Sequence, residues 1–314
     1  MAKASAPGKL ILFGEHFVVH GLPAIAAAVE GRTIAEVRKA DGFSLVDDRP
    51  ETPGYKKDKG GQQADSIRLM FNAMRLDASK ARIVLGGDLV AASGVGASGA
   101  SCAAIAAAAN AEFRLGLDRD GINGIAYEGE KGYHGTPSGI DNSCSTYGGF
   151  IRFRKSAPGG KGEIAPMDSK AKLSMVVGNS GITSNTTKVV EEVKRLKEKD
   201  AARFKRICDD YVKIANDAKM ALEDEDLPEI GRLMNMNHVL LREIGVSCKE
   251  LEGMVGAALK AGALGAKLTG TGRGGLMIAL VSDETKEAVA SAIAKLGFKS
   301  DVTGIGAEGV KVLR

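Results

Sequence analysis

The stretch SGVGASGAS, residues 93–101, holds three glycines and three serines and runs directly into the alanine-rich CAAIAAAANAEF. Small residues let a backbone approach a ligand closely. A helix starting near Ala97 or Ser98 would present unpaired N–H groups and a partial positive charge to whatever lies in the preceding loop. A phosphate fits that environment. The Walker A pattern GxxxxGK[ST] occurs nowhere in the chain, so the cradle would be of another kind. A Gly/Ser turn that only caps an Ala-rich helix is the competing reading, and these residues alone leave both open.

The second cluster is YEGEKGYHGTPSGIDNSCSTYGG, residues 127–149. Its centre, HGTPSGID, reads as a stiff loop rich in Gly and Pro that delivers the carboxylate of Asp141 at a fixed place, where it is a candidate base. Glu130 precedes it by eleven residues, far enough to sit at the end of a helix, face the same cleft and hold a metal. For either acid taken singly, a solvated surface carboxylate is the commoner outcome. The third cluster, GAKLTGTGRGGLMIALV (265–281), sets Gly270, Gly272, Gly274 and Gly275 before a buried strand. Glycine there marks close approach by a ligand or another backbone, so a phosphate- or substrate-facing loop and a plain β-bulge both stand.

The elements that must position these clusters follow from periodicity. KLILF (9–13), TIAEVRK (33–39), ARIVLGG (81–87) and GGFIRFR (148–154) read as strands, with helices over 63–76 and after Ser98. The loop-like KSAPGGKGEIAP (155–166) divides the chain into domains at 1–165 and 166–314. Beyond it, KLSMVVG (172–178) predicts a strand, and Phe204, Ile207, Tyr211, Ile214 and Ala218 paint one apolar stripe of core on a helix. SCKE predicts a capping box between Ser247 and Glu250, opening a helix over 248–261 that stops before Gly262. LMIALV (276–281) reads as a buried strand, 283–296 as a helix and the tail as one or two strands. The fold class is α+β.

Composition excludes several functions. At 314 residues, 44% hydrophobic and 26% charged, the chain suits two ordinary globular domains and not a disordered segment. The net charge of +4 is mild, and KRLKEKDAARFKR (194–206) interleaves its bases with acids, a solvated helix face. With 4% aromatic residues as well, nucleic-acid binding is not expected. Cys102, Cys144, Cys208 and Cys248 stand 40 or more residues apart, as free thiols of a reducing compartment do. No apolar run approaches the ~20 residues of a membrane span. The N-terminus lacks a signal-peptide layout, so the expectation is a cytoplasmic protein with no membrane partner.

Taken with the N-terminal SAPGKLILFGEHFVVHG, the three clusters resemble the motifs of the GHMP small-molecule kinases, in the same order and over nearly the whole chain. FGEHFVVHG and HGTPSGIDNSCSTYGG bring the resemblance nearest to the members that phosphorylate mevalonate. It implies a two-domain GHMP kinase fold: a ribosomal S5 domain 2-like N-terminal domain (1–165) for ATP and substrate, and a ferredoxin-like C-terminal domain (166–314). The active site would lie in the cleft between them. The implied activity is ATP-dependent phosphorylation of the C5 hydroxyl of mevalonate to 5-phosphomevalonate and ADP, with Mg²⁺. A GHMP kinase acting on phosphomevalonate is the alternative. A homodimer is carried as an open expectation.

The resemblance also distributes roles over matching positions. Asp141 stands beside the substrate hydroxyl with Lys9 next to it, an ammonium that would favour the charged carboxylate and steady developing alkoxide. Ser93, Gly94, Gly96, Ala97, Ser98 and Gly99 line the nucleotide phosphates, and Ser98 and Glu130 ligate Mg²⁺ through hard oxygens. Glu15 and His16 hydrogen-bond the substrate's hydroxyl groups, and Gly270 and Gly272 lie on the substrate side. His134 receives no role. The second motif departs from the family's Ser-Ser pair by placing Ala97 before Ser98. In the third, Thr271 and Arg273 interrupt the glycines, which leaves Arg273 either reaching a phosphate or carboxylate or pairing with a surface acid.

Overall fold

The computed structural model describes residues 1–51, 55–91, 94–155 and 162–314. Its elements begin with β1 (Ala2–Phe13), β2 (Pro23–Lys39), β3 (Ser44–Asp47), α1 (Tyr55–Ala73), β4 (Ala81–Gly87), α2 (Ala97–Phe113), α3 (Arg119–His134) and α4 (Ile140–Tyr147). They continue with β5 (Phe150–Arg154), β6 (Glu163–Pro166), β7 (Leu173–Asn179), α5 (Thr186–Lys199), α6 (Ala201–Glu223) and α7 (Leu227–Glu243). The last are α8 (Lys249–Lys260), β8 (Gly265–Thr269), β9 (Leu276–Val281), α9 (Lys286–Ala294), β10 (Lys299–Ile305) and β11 (Lys311–Leu313). They form two compact units, each discontinuous in sequence: Met1–Leu10, Ala27–Ile151 and Ala307–Arg314 in the first, Ile11–Ala26 and Arg152–Gly306 in the second.

In the first unit the strand order is β11-β1-β2-β4, with β3 parallel to β4 on its other side. The chain's last strand closes the edge beside its first, antiparallel, with Leu313 opposite Lys3. Along β4, Ala81, Ile83 and Leu85 are buried while the residues between them are half-exposed, the period-two alternation of a strand with one core face. Against this sheet lies α2, where every residue from Gly99 to Ala109 is buried. A helix apolar all round belongs inside a core, and alanine lets neighbours approach it from every side. It packs against α3 and α4.

The second unit contains a β-α-β-β-α-β arrangement, with β7, β8, β9 and β10 in the order β10-β7-β9-β8 and all neighbours antiparallel. That is the ferredoxin-like pattern, with α5 to α8 inserted where one helix would suffice. The predicted stripe of Phe204, Ile207, Tyr211, Ile214 and Ala218 lies on α6 and is buried throughout.

Three local expectations change. The capping box at Ser247 does not form: Cys248 is the N-cap of α8, and the Ser247 hydroxyl donates instead to Glu252 Oε1 at 2.5 Å. Glu252 draws it because that carboxylate already faces His238 and Arg242. Residues 194–206 are not one helix face, since α5 ends at Lys199 and the Asp200 side chain caps α6 by accepting from the Arg203 N–H at 3.0 Å. The segment 155–166, expected as loop throughout, ends in strand β6, while 156–161 lie outside the described residues. No helix among the described residues is long and apolar enough to cross a membrane.

Candidate active site

Within the first unit, β1 carries Lys9 to the start of α2, and the Lys9 N–H donates to the Val95 carbonyl at 2.8 Å. Gly96 is the N-cap of α2 in the left-handed region (φ 71°), and no side chain among the described residues caps that end. The first N–H groups of α2 therefore point out of the helix unpaired by a cap, which is the anion-binding arrangement the sequence predicted. Gly94, Gly96, Ala97, Ser98 and Gly99 lie together in this turn; Ser93 lies outside the described residues. A side chain at Gly99 would meet the Asp141 backbone at 2.7 Å, so glycine is what lets α2 rest on the first turn of α4.

Asp141 is not on the loop the sequence predicted. It occupies the first turn of α4, behind Gly139 as a left-handed N-cap. There the helix dipole favours a carboxylate, and the backbone fixes it more firmly than a loop would. Lys9 Nζ lies 3.1 Å from Asp141 Oδ1. Burial pulls the Lys9 pKa down, but the charge and hydrogen bond of Asp141 outweigh it and hold the ammonium above its ordinary value. Lys9 stays charged.

Glu130 sits one turn before the end of α3, and its side chain is buried. Burial, then the charge of Asp141, pushes its pKa up to about 8, while a hydrogen bond from Ser98 and the charge of Lys9 oppose the rise. His134, one turn further on α3, places Nε2 3.5 Å from Ser98 Oγ and 3.8 Å from Glu130 Oε2. Ser98, Glu130 and His134 therefore meet at one point. Among the described residues no group of three His, Cys, Asp or Glu forms a metal cage. One hydroxyl and one carboxylate suit a cation such as Mg²⁺, which keeps its waters and takes phosphate oxygens as its other ligands.

Sequence reasoning missed the support of this site. Arg49, buried, donates to the Ala97 carbonyl at 3.4 Å and to Ser101 Oγ, clasping the first turn of α2. Asp47 accepts from Arg49 Nε at 2.9 Å and from Gln63 Nε2 at 2.9 Å. An arginine in a segment without periodicity carried no signal.

A valine at Gly96 would place its Cβ 2.8 Å from Lys9 Cγ and 3.1 Å from Asp141 Oδ1. Gly96→Val is thus expected to lower kcat by about tenfold or more in addition to weakening ATP binding, because the Lys9–Asp141 pair must shift. Calorimetric ATP titration beside turnover at saturation checks it. Loss of ATP affinity with parental kcat would contradict it.

Glu15 and His16 belong to the second unit. Phe17 stacks on Tyr211 (ring centroids 4.0 Å apart), whose hydroxyl donates to the Pro23 carbonyl at 2.7 Å, so this turn is pinned to the α6 core stripe. Glu15 Oε1 accepts from Lys267 Nζ, and both side chains are fully buried. His16, with φ 61°, donates from Nε2 to the Thr271 carbonyl at 2.7 Å. Burial lowers its pKa, the Thr271 carbonyl working against that, so the ring is neutral and Nδ1 is left as an acceptor. Among the described residues, Glu15 Oε2 and His16 Nδ1 are both buried without a partner. Lys267 was legible only as a lysine inside the apolar run AKL.

In the third glycine cluster, a side chain at Gly272 would strike the Val246 carbonyl and one at Gly274 would come within 2.7 Å of the Ile182 carbonyl, so these two serve close backbone packing. A side chain at Gly270 would meet nothing within 4 Å, although its φ of 83° still favours glycine. Arg273 pairs with Glu192 and donates from Nε to the Gly245 carbonyl at 3.1 Å, which resolves its alternatives in favour of the acid.

The chain and its fold have counterparts among known proteins. The family model "GHMP kinases N terminal domain" matches residues 64–149 and "GHMP kinases C terminal" matches residues 218–299. The chain belongs to the GHMP kinase family, and its α+β two-domain fold is the fold of that family. It is 34% identical to a mevalonate kinase of Pyrococcus abyssi, with 98% of this chain and 97% of the relative covered. It is 30% identical to a mevalonate kinase of Aeropyrum pernix, with 99% and 98% covered. The crystal structure of L. major mevalonate kinase in complex with R-mevalonate superposes with a TM-score of 0.90 at 39% identity, covering 98% of this chain and 97% of that one.

Proposed function

We propose that this chain transfers the γ-phosphoryl group of ATP to the C5 hydroxyl of mevalonate, giving 5-phosphomevalonate and ADP, as a mevalonate kinase does. The observation that carries the chemistry is the Lys9–Asp141 pair at 3.1 Å, set against the uncapped start of α2 and beside the Ser98–Glu130 oxygens. We assign ATP and substrate to the N-terminal part of the chain, residues 1–165, which also lends Glu15 and His16 to the second unit, and 166–314 to the C-terminal domain.

Phosphoryl transfer demands positioning and charge neutralisation above all. The mevalonate hydroxyl oxygen forms the new bond to γ-phosphorus, the bond from γ-phosphorus to ADP breaks, and the hydroxyl proton passes to Asp141. Lys9 stabilises the negative charge growing on that oxygen. The α2 N–H groups at Ala97, Ser98 and Gly99 hold phosphate oxygens. Ser98 and Glu130 would hold Mg²⁺, which supplies neutralisation of phosphate charge when bound. Glu15 and His16 stand on the substrate side, where Glu15 accepts from the second hydroxyl of mevalonate, the one that does not react. An ADP-release assay over mevalonate, phosphomevalonate, galactose and homoserine tests the reading, with turnover expected on mevalonate alone. A preference for phosphomevalonate would overturn it. A second phosphate at Arg273 would have to displace Glu192.

Glu130→Gln is expected to raise the Mg²⁺ concentration for half-maximal activity by about tenfold or more. It has a second, metal-free signature. Because the folded pKa is raised to about 8 from the usual 4.5, folded Glu130 keeps a proton that the unfolded chain releases. Its contribution to stability is full below about pH 4.5 and is lost as pH rises through about 8. Urea unfolding of metal-free protein at pH 5 and pH 8 should show a smaller pH-dependent loss in Glu130→Gln than in the parent. Equal losses would contradict the assignment.

A further inference from the structure

Lys267 lies in the middle of β8, where all five residues are buried. A buried ammonium is costly unless paired and hydrogen-bonded. Here it donates to Glu15 Oε1 and to the Leu268 carbonyl at 2.8 Å. Alternate residues of a strand share a face. Two residues on, Thr269 Oγ1 donates to the Ile11 carbonyl at 2.8 Å, and two further, past the strand's end, the Thr271 carbonyl holds His16 Nε2 at 2.7 Å. At every second residue this segment grips another point of the stretch from Ile11 to His16. Lys267, Thr269 and Thr271 of the third cluster thus form a template for the Glu15–His16 turn within the second unit.

A salt bridge serving stability alone would satisfy both carboxylate oxygens, since an unpaired buried acceptor is destabilising. This one leaves Glu15 Oε2 buried and without a partner among the described residues, and His16 Nδ1 is in the same condition on the next residue. An orphaned carboxylate oxygen beside an orphaned ring nitrogen fits a ligand that brings a hydroxyl donor. We propose that Lys267 is a positioning residue that holds Glu15 turned so that Oε2 accepts a substrate hydroxyl; this rests on the mevalonate reading above. Lys267 touches no substrate and acts through Glu15.

The test is a double-mutant cycle read in KM: Glu15→Gln, Lys267→Met and the two combined, each with kcat, KM for mevalonate, KM for ATP and Tm. Lys267→Met is expected to raise KM for mevalonate by about tenfold while KM for ATP stays within about twofold. In the Glu15→Gln background the lysine substitution should raise KM for mevalonate no further, because its route of action is gone. Should Lys267→Met alone fail to fold, the combined variant, which buries no charge at this place, is compared with Glu15→Gln: equal KM supports the proposal and a further rise overturns it. A parallel rise in both KM values, the mark of a merely structural role, also overturns it. A Glu15→Gln protein with parental KM removes Glu15 as a substrate contact and the proposal with it. Failure of the mevalonate reading itself looks different, as a parent protein that leaves mevalonate unphosphorylated.

Discussion

Asp141→Asn is expected to lower kcat by about 10²- to 10⁴-fold, the range for loss of a positioned general base, or about 3 to 5 kcal/mol in the barrier. The asparagine keeps the shape and cannot take the hydroxyl proton. KM for mevalonate should change little, since substrate binding is assigned to Glu15 and His16. The first turn of α4 should survive, because Gly139 and not Asp141 provides its left-handed cap. The check is turnover at saturating ATP, Mg²⁺ and mevalonate in a variant with a parental unfolding transition. Near-parental kcat would remove Asp141 from the mechanism and make Glu130 the next acid to test.

Lys9→Met should cost about 10²- to 10³-fold in kcat, comparable to removing one preorganised donor from a developing oxyanion. The two losses should not multiply. Lys9 Nζ and Asp141 Oδ1 are 3.1 Å apart and serve the same hydroxyl, so the double variant should turn over within about tenfold of Asp141→Asn alone. Multiplicative losses would show that the lysine works elsewhere, for instance on the phosphates. Since Lys9 is held above its ordinary pKa by Asp141 against the effect of burial, Asp141→Asn removes the main support of that charge. The Lys9 titration should therefore move down in Asp141→Asn, and an unmoved titration would contradict the coupling.

Much of this was legible in residue types. The start of α2 followed from Gly and Ser before an alanine run, and the observed helix opens at Ala97. β4 and β9 matched the apolar segments 81–87 and 276–281 residue for residue, because turns bound both. Other features were hidden for physical reasons. Strand β2 extends back to Pro23 through AIAAAVE, where alanine carries no strand preference and the period-two pattern vanishes. Helix α4 is eight residues long, small and mostly polar between Ile140 and Tyr147, and follows a turn rich in Gly and Pro, so neither length nor periodicity announces it and Asp141 reads as a loop residue. β11 pairs with β1 at a separation of some 300 residues, which no local pattern encodes. At the site, Lys9, Ser98, Glu130 and Asp141 carried their own chemistry in conspicuous motifs. Arg49 and Lys267, which hold such residues in place, did not, since their roles exist only once distant segments meet.

The central claim is transfer of the γ-phosphoryl group of ATP to the C5 hydroxyl of mevalonate. Phosphorus NMR of the parent protein with ATP, Mg²⁺ and R-mevalonate tests it most directly. The γ-phosphate signal should decay while a phosphomonoester signal, split by the two protons of an adjacent CH₂, grows in equal amount with ADP. Appearance of inorganic phosphate alone, or a phosphorus signal without CH₂ coupling, would contradict the account.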